Sequence, residues 1–379
     1  MKRAVAKHHD RSSGSRASAA GADPRVTGSP AAKASSRATT GADEVDVLSD
    51  VLRSVRLTGA MFFLVDASTP WATRAPRASA FRPVVLPRSQ HLVSYHIVTH
   101  GTCWGGLTEA NAERMEAGDI LVIPHGDAYF LAEPSPAPGA RESDTADAVS
   151  FFKQMAAGEL PSVVTEGGGG ADKTRFICGF LGCEARPFNP ILAALPRLIH
   201  LHGATQSTDR LRYLVEFALC ELRERRPGGR EVLLRLSELM FIEVIRRYLE
   251  TIPEAQTGWL AGLRDPLVAR ALALLHDRPA RPWTLEELAS NIGASRSVLV
   301  ERFHHFVGGP PMKYLGYWRM QLATMRLSDP TTKVKTVAEE VGYASEAAFS
   351  RAFTKIVGKS PMQWRENARV TSTEPQPRK

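Results

Sequence analysis

Arg296 opens one amphipathic stretch near the C-terminus, and Arg351 sits inside a second that repeats its pattern. A planar guanidinium can grip O6 and N7 of guanine, so an arginine on the open face of a groove-sized helix is equipped to read a base. Around Arg296 the same face would carry Ser297, Val300, Glu301 and His304; around Arg351 it would carry Glu346, Ala347, Ser350 and Thr354. Ser295, Arg302, Ser345, Lys355 and Lys359 are types that suit phosphate oxygens. A second group lies earlier in the chain. His91, His96, His100 and His125 fall among short apolar runs, and His96 and His100, four apart, would share one face of a strand. Such histidines could contact a small molecule or ligate a metal. Cys178 and Cys183 read as reduced thiols packed like small apolar groups, with a redox pair as the weaker reading. Gly167 to Gly170 lacks the lysine of a phosphate-binding loop.

The arginine stretches need elements that hold them, and the repeat supplies these. Ala289 matches Ala338 and Gly293 matches Gly342; after one inserted residue, Ser295 matches Ser345, Leu299 Phe349, Phe303 Phe353, Gly308 Gly358, Pro311 Pro361 and Tyr314 Trp364. Thr284 with Glu287, and Thr336 with Glu339, are expected capping boxes. A glycine then suits the left-handed end of each first helix. Ser295 and Ser345 are N-caps for each second helix. Helix, glycine turn, serine-capped helix is a helix-turn-helix. Leu299, Phe303 and Phe306, like Phe349, Phe353 and Ile356, recur at helical spacing and are expected to anchor each second helix in its own core. A single basic residue here reads equally well as a solvated charge; two matched helices in tandem do not. PMKYLGYWRMQLATMRL, Pro311 to Leu327, is expected to be one rigid helix between the copies. Such a strut would set two reading helices about one DNA turn (~34 Å) apart.

Charge agrees with this division. The net charge of +8 is distributed as +5 over residues 1–43, −4 over 44–257 and +7 over 258–379. A basic C-terminal region beside a mildly acidic body suggests that one part meets a polyanion. The first 43 residues have almost no large apolar side chains and are expected to be a disordered basic tail. No apolar run reaches the roughly 18 residues of a membrane helix, and no secretory leader is evident, so a cytoplasmic protein is expected.

Between the tail and the repeat, Val47, Leu48, Val51, Leu52 and Val55 mark a short helix, followed by an apolar strand, Ala60 to Val65. Short strands broken by Gly and Pro then point to a β-barrel or sandwich. Residues 133–150 and 166–173 read as loops, 174–180 as a strand, and Pro190 to Leu201 as a short helix. Arg210 to Arg225 and Glu231 to Glu250 read as two long amphipathic helices, and 251–264 as a linker.

The C-terminal residues, LASNIGASRSVLVERF through VAEEVGYASEAAFSRAFTKIVGKSPMQWR, resemble the AraC/XylS family of bacterial transcription regulators over about 265–368. Gly309-Pro310-Pro311 departs from the family's Gly-x-Ser-Pro form, and Val300-Glu301 sets an apolar and an acidic residue near the groove. LSDVLRSVRLTGAMFF, SYHIVTHGTCW, EAGDILVIPHGDAYFL and FICGF resemble the cupin-type sensor of one branch of that family. Related sensors often carry a histidine near Tyr129, and no glutamate follows the histidines at the spacing of metal-binding cupins. His96, His100, His125 and Tyr129 are therefore expected to contact an inducer, with no metal and no cofactor. The expected fold is multidomain α+β: a cupin-like β-barrel over 44–204, a dimerising helical pair over 205–257, a double helix-turn-helix over 258–368, and tails at 1–43 and 369–379. The expected partners are promoter DNA, a small-molecule inducer, RNA polymerase and a second copy of the chain, with no membrane and no enzymatic activity. Two alternatives stay open: a metal-dependent cupin enzyme fused to a DNA-binding domain, and a constitutive DNA-binding protein with an inert N-terminal domain.

Overall fold

The computed structural model describes residues 45–54, 57–133, 145–184, 187–203, 210–224, 226–253 and 255–366. The expected tails, Val55, the 204–205 boundary and most of the 133–150 loop lie outside them. In chain order the elements are α1 (Val47–Ser54), β1 (Leu57–Ser68), β2 (Trp71–Ala75), α2 (Ala78–Val85), β3 (His91–His100), β4 (Thr102–Gly106), β5 (Glu113–Glu116), β6 (Ile120–Ile123) and β7 (Tyr129–Glu133). Then come α3 (Thr145–Ala157), β8 (Val163–Gly167), β9 (Lys173–Cys183), α4 (Pro190–Ala194), β10 (Ile199–Leu201), α5 (Arg210–Glu224) and α6 (Gly229–Thr251). The C-terminal part is helical: α7 (Trp259–Gly262), α8 (Pro266–Asp277), α9 (Leu285–Asn291), α10 (Arg296–Val307), α11 (Pro311–Leu327), α12 (Val334–Glu340) and α13 (Glu346–Val357).

The strands form two sheets, ordered β10-β6-β3-β9-β1-β8 and β2-β7-β4-β5. The inner strands β6, β3, β9 and β1 of the larger sheet are buried on both faces, which is why they read as apolar runs rather than as alternations; the edge strand β8 is largely exposed. Phe63, Val65, Leu92, Val98, Phe176 and Phe180 point into the space between the sheets, which α2 and α3 close through a Phe81–Phe152 ring stack at 4.3 Å. Phe62, Leu64, Tyr95, Ile97, Ile177 and Leu181 point the other way, into a core shared with α1, α4, α5 and α6. Cys178 lies in the first core and Cys183 in the second, on opposite faces of β9, so the two thiols cannot pair.

Four local expectations change. Pro190 to Leu201 is not one helix: α4 ends at Ala194, Leu195 is extended (φ −77°, ψ 145°), and Ile199–Leu201 pairs with β6. Pro196 explains the break, because the residue before a proline is pushed out of the helical region. Residues from Thr145 form α3 rather than loop. The 251–264 linker contains α7, whose Trp259 and Leu260 are buried and whose indole N–H donates to the Tyr314 hydroxyl at 3.1 Å. Finally, α12 begins at Val334 with Lys333 at its N-cap and no side-chain cap, which puts Thr336 inside the helix. Starting earlier lets Val334 pack on the core of the second copy.

Candidate DNA interface and sensor cavity

The two reading helices are built alike. Ser295 caps α10 by accepting from the Val298 N–H at 3.3 Å, and Ser345 caps α13 by accepting from Ala348 at 3.2 Å. Both helices end at a left-handed glycine, Gly308 (φ 78°) and Gly358 (φ 82°). Leu299 and Phe303, and Phe349 and Phe353, are fully buried and fix which face turns outward. The Thr284–Glu287 capping box is complete before α9. The turns use Gly293 (φ 71°) and Gly342 (φ 84°); a Cβ on Gly342 would also meet the Ala280 carbonyl oxygen at 2.5 Å. Gly342 is therefore required twice, for its backbone angle and for its missing side chain.

On α10, Arg296, Ser297 and His304 are exposed and Val300 is half-buried. Arg296 is held at 2.8 Å by Glu286 of α9, and both side chains are largely exposed. Exposure makes that pair weak, so the guanidinium can exchange the carboxylate for a base. Sequence reasoning missed Glu286, and also Val298, an exposed apolar residue beside Arg296. On α13, Glu346, Ala347 and Arg351 are exposed, Ser350 is half-buried, and Thr354 donates its hydroxyl to the Ser350 carbonyl at 2.8 Å. Lys355 and Lys359 are exposed.

Arg302 is exposed and also has a structural partner. Its guanidinium grips Asp265, with Nε donating to Oδ2 at 3.0 Å. Asp265 is itself the N-cap of α8, accepting from Leu267 and Val268 through Oδ1. Burial disfavours its ionised form, but Arg302 and the two backbone N–H groups outweigh that, and its carboxyl is held below the usual range. The pair, 37 residues apart, leaves no mark in local sequence patterns.

Between the sheets lies a cavity of about 460 Å³. Phe63, Trp71, Phe151, Phe152, Phe176 and Phe180 line it, with Thr73, Arg74, His96, Tyr129, Asp147, Glu166 and Cys178 as polar members. His96 is buried, its Nδ1 lies 3.2 Å from Cys178 Sγ, and its Nε2 has no partner among the described residues. Burial pushes its pKa down to about 3, so the ring is neutral. The same burial pushes the Tyr129 phenol and the Cys178 thiol up. His100 and His125 do not join them. A bulge between Val98 and His100 breaks the alternation of β3, and His100 ends exposed. His125 Nε2 instead meets the Leu195 carbonyl at 2.8 Å, outside the cavity.

The comparisons with known proteins follow the same division. A family model described as cupin matches residues 46–250, and one described as a helix-turn-helix domain matches 288–367. A protein of Streptomyces lividans named as an AraC-like transcription regulator is 31% identical over 330 residues, 85% of this chain and 99% of that one. The chain belongs to the AraC-like transcription regulators. A similarly named protein of Streptomyces antibioticus is 30% identical over 325 residues, 85% of this chain and 99% of that one. The regulator AlkR of Acinetobacter baylyi is 28% identical over 326 residues, 86% of this chain and all of that one. This AraC-like protein is thus a DNA-binding transcription regulator with a cupin N-terminal domain. Among its described residues no helix is long and apolar enough to cross a membrane.

Proposed function

We propose that one chain reads two adjacent major-groove segments of a promoter and that a small molecule in the barrel controls this. The observation that carries the reading is the pairing of two serine-capped helices, each with an open face, on one unbroken helix α11. Arg296 is the principal base reader and Arg351 the second; Ser297, Val300, His304, Glu346, Ala347, Ser350 and Thr354 complete the two faces. Ser295, Ser345, Lys355 and Lys359 position the backbone. DNA affinity should fall steeply with salt, with a log–log slope of about −0.9 per phosphate neutralised. A flat salt dependence in fluorescence anisotropy on promoter DNA from neighbouring genes would defeat the reading.

The cavity supports a largely apolar inducer with a polar group facing His96 Nε2 and Tyr129. A metal-dependent cupin enzyme would need several ligands around one point, and His96 stands there without His100 or His125; the reading is therefore a non-enzymatic sensor. Thermal shift against a metabolite panel tests it: a stabilising ligand whose effect is lost in His96→Phe supports it, and a full panel without a shift favours a constitutive protein. Tyr213 and Phe217 on α5, 58% and 52% exposed, with Leu239 on α6, 48% exposed, support a dimer with a second copy. The sensor over 44–204, the helical pair over 205–257 and the reader over 258–368 then work as one cytoplasmic regulator that acts on RNA polymerase.

A further inference from the structure

Away from the cavity, three potential metal ligands converge at the start of β6. His200 on β10 and His202 just after it are two residues apart, so their rings share one side of the strand. Those rings lie 4.4 Å apart. Asp119 faces them from the turn before β6, and the ligand atoms of all three lie within 4.8 Å of one another. Asp119 and His200 are buried, whereas His202 is open to solvent.

The site is built rather than incidental. Asp119 is fixed by the Glu116 N–H on Oδ2 at 3.0 Å and the Gly203 N–H on Oδ1 at 2.6 Å. Gly118 and Gly203 approach so closely that a Cβ on Gly203 would lie 2.9 Å from the Gly118 carbonyl carbon. Glu113 of β5 lies 2.5 Å from His200 Nδ1. A hydrogen on Nδ1 that Glu113 accepts leaves Nε2 as a bare lone pair, 3.0 Å from Asp119 Oδ2. A shared proton or a metal ion between those two atoms would hold them at that distance. His202 Nδ1 lies 3.7 Å from the same oxygen, too far for a hydrogen bond. Two ligands of one tetrahedral zinc, with bonds of about 2.0–2.2 Å, stand roughly 3.4 Å apart, and the two nitrogen–oxygen distances bracket that value. A carboxylate accepting from the second nitrogen of a ligating histidine is also the usual support of a metal site.

We propose that Asp119, His200 and His202 bind a divalent ion of the zinc class, with Glu113 orienting His200 from behind. Imidazole and carboxylate donors together suit zinc, nickel or copper better than calcium or magnesium. Three protein ligands leave one position for water, and the exposed His202 gives the ion a way in. The ion joins the β5–β6 turn to the end of β10, from which the chain continues toward α5.

The test is metal binding by the full chain, stripped of metal by chelation. Calorimetric titration with zinc should show one tight site, and cobalt substituted there should give visible bands of a tetrahedral centre. His202→Ala, on an exposed side chain, should keep the fold by circular dichroism and weaken zinc at least tenfold. Glu113→Gln should weaken it about 10–100-fold. Absence of a one-to-one site would overturn the proposal and leave the His200–Asp119 contact as an ion pair held by a proton. An unchanged isotherm in His202→Ala would overturn it too, because zinc would then sit elsewhere, as at the adjacent His8 and His9.

Discussion

The two helix-turn-helix copies share a pattern but not a setting. The first has no core of its own. Leu288, Ile292, Leu299 and Phe303 belong to an apolar cluster that runs on through Trp259, Val47 and Val51 to the outer face of the large sheet. The second keeps a separate core of Met320, Leu327, Val337, Phe349 and Phe353. Polar contacts sharpen the contrast. Gln321 of α11 donates to the Ser54 carbonyl at 2.8 Å and accepts from the Phe188 N–H at 3.2 Å, which ties the strut to the sensor. His276 of α8 reaches Tyr314 at 2.8 Å and lies 3.5 Å from Asp50 of α1. The second copy is instead held to the first by Arg319 of α11, which donates to the Pro279 and Arg281 carbonyls and lies over the Tyr343 ring, and by the close approach of Gly342 to Ala280. Packed side chains therefore join the first reading helix directly to the N-terminal domain, whereas the second joins it through the strut and its loop. Of the two copies, only the first shares its core with the N-terminal domain.

The largest expected effects come from cutting each anchor. Phe303→Ala and Phe353→Ala should each cost about 3–5 kcal/mol, but in different places. Calorimetry should show Phe303→Ala lowering the main transition, sensor included, and Phe353→Ala splitting off an early transition for the second copy. One shared transition lowered equally in both would break the comparison. Gln321→Ala should cost about 1–3 kcal/mol, because it strands a buried carbonyl and a half-buried N–H. It should also weaken the response of DNA binding to inducer, measured as the ratio of affinities with and without it.

Reading by the two faces should be unequal as well. Arg296→Ala should remove about 1–3 kcal/mol of discrimination at one base pair, while Arg351→Ala should remove less, measured by anisotropy on matched and mismatched sites. Equal losses on both kinds of site would assign Arg296 to the backbone. The smallest effect concerns Asp265, which steadies only the first copy. Asp265→Ala should cost about 1 kcal/mol through the lost cap. Its carboxyl pKa is lowered in the folded state, so its ionised contribution is complete above the usual value, about 4, and is lost as pH falls through the lower folded value. Urea midpoints of parent and variant should converge in that acid range; a constant gap would mean that its charge contributes nothing.

The C-terminal architecture was legible because its signals are local. Serine caps, glycine turns and paired phenylalanines lie within a few residues of their partners, and repetition doubled the signal. What sequence missed depends on distant partners or on single interruptions. Pro196 alone divides α4 from β10. One bulge takes His100 away from His96. Arg302 reads as a free basic residue until Asp265 is seen beside it. Trp259 and Leu260 could have exposed α7, since large apolar residues rarely belong in a solvated linker. Across the sensor cavity, His96 and Tyr129 were legible, whereas Trp71, Phe151 and Cys178 reach it from three separate elements.

A single chain is expected to present both reading helices to one face of the duplex. Methylation-protection footprinting of the full protein on its promoter tests this most directly. Two protected major-groove segments per chain are expected, about one helical turn apart on the same face, with the segment contacted by α10 lost in Arg296→Ala and the other retained. A single protected segment per chain, or two that vanish together in that variant, would contradict it.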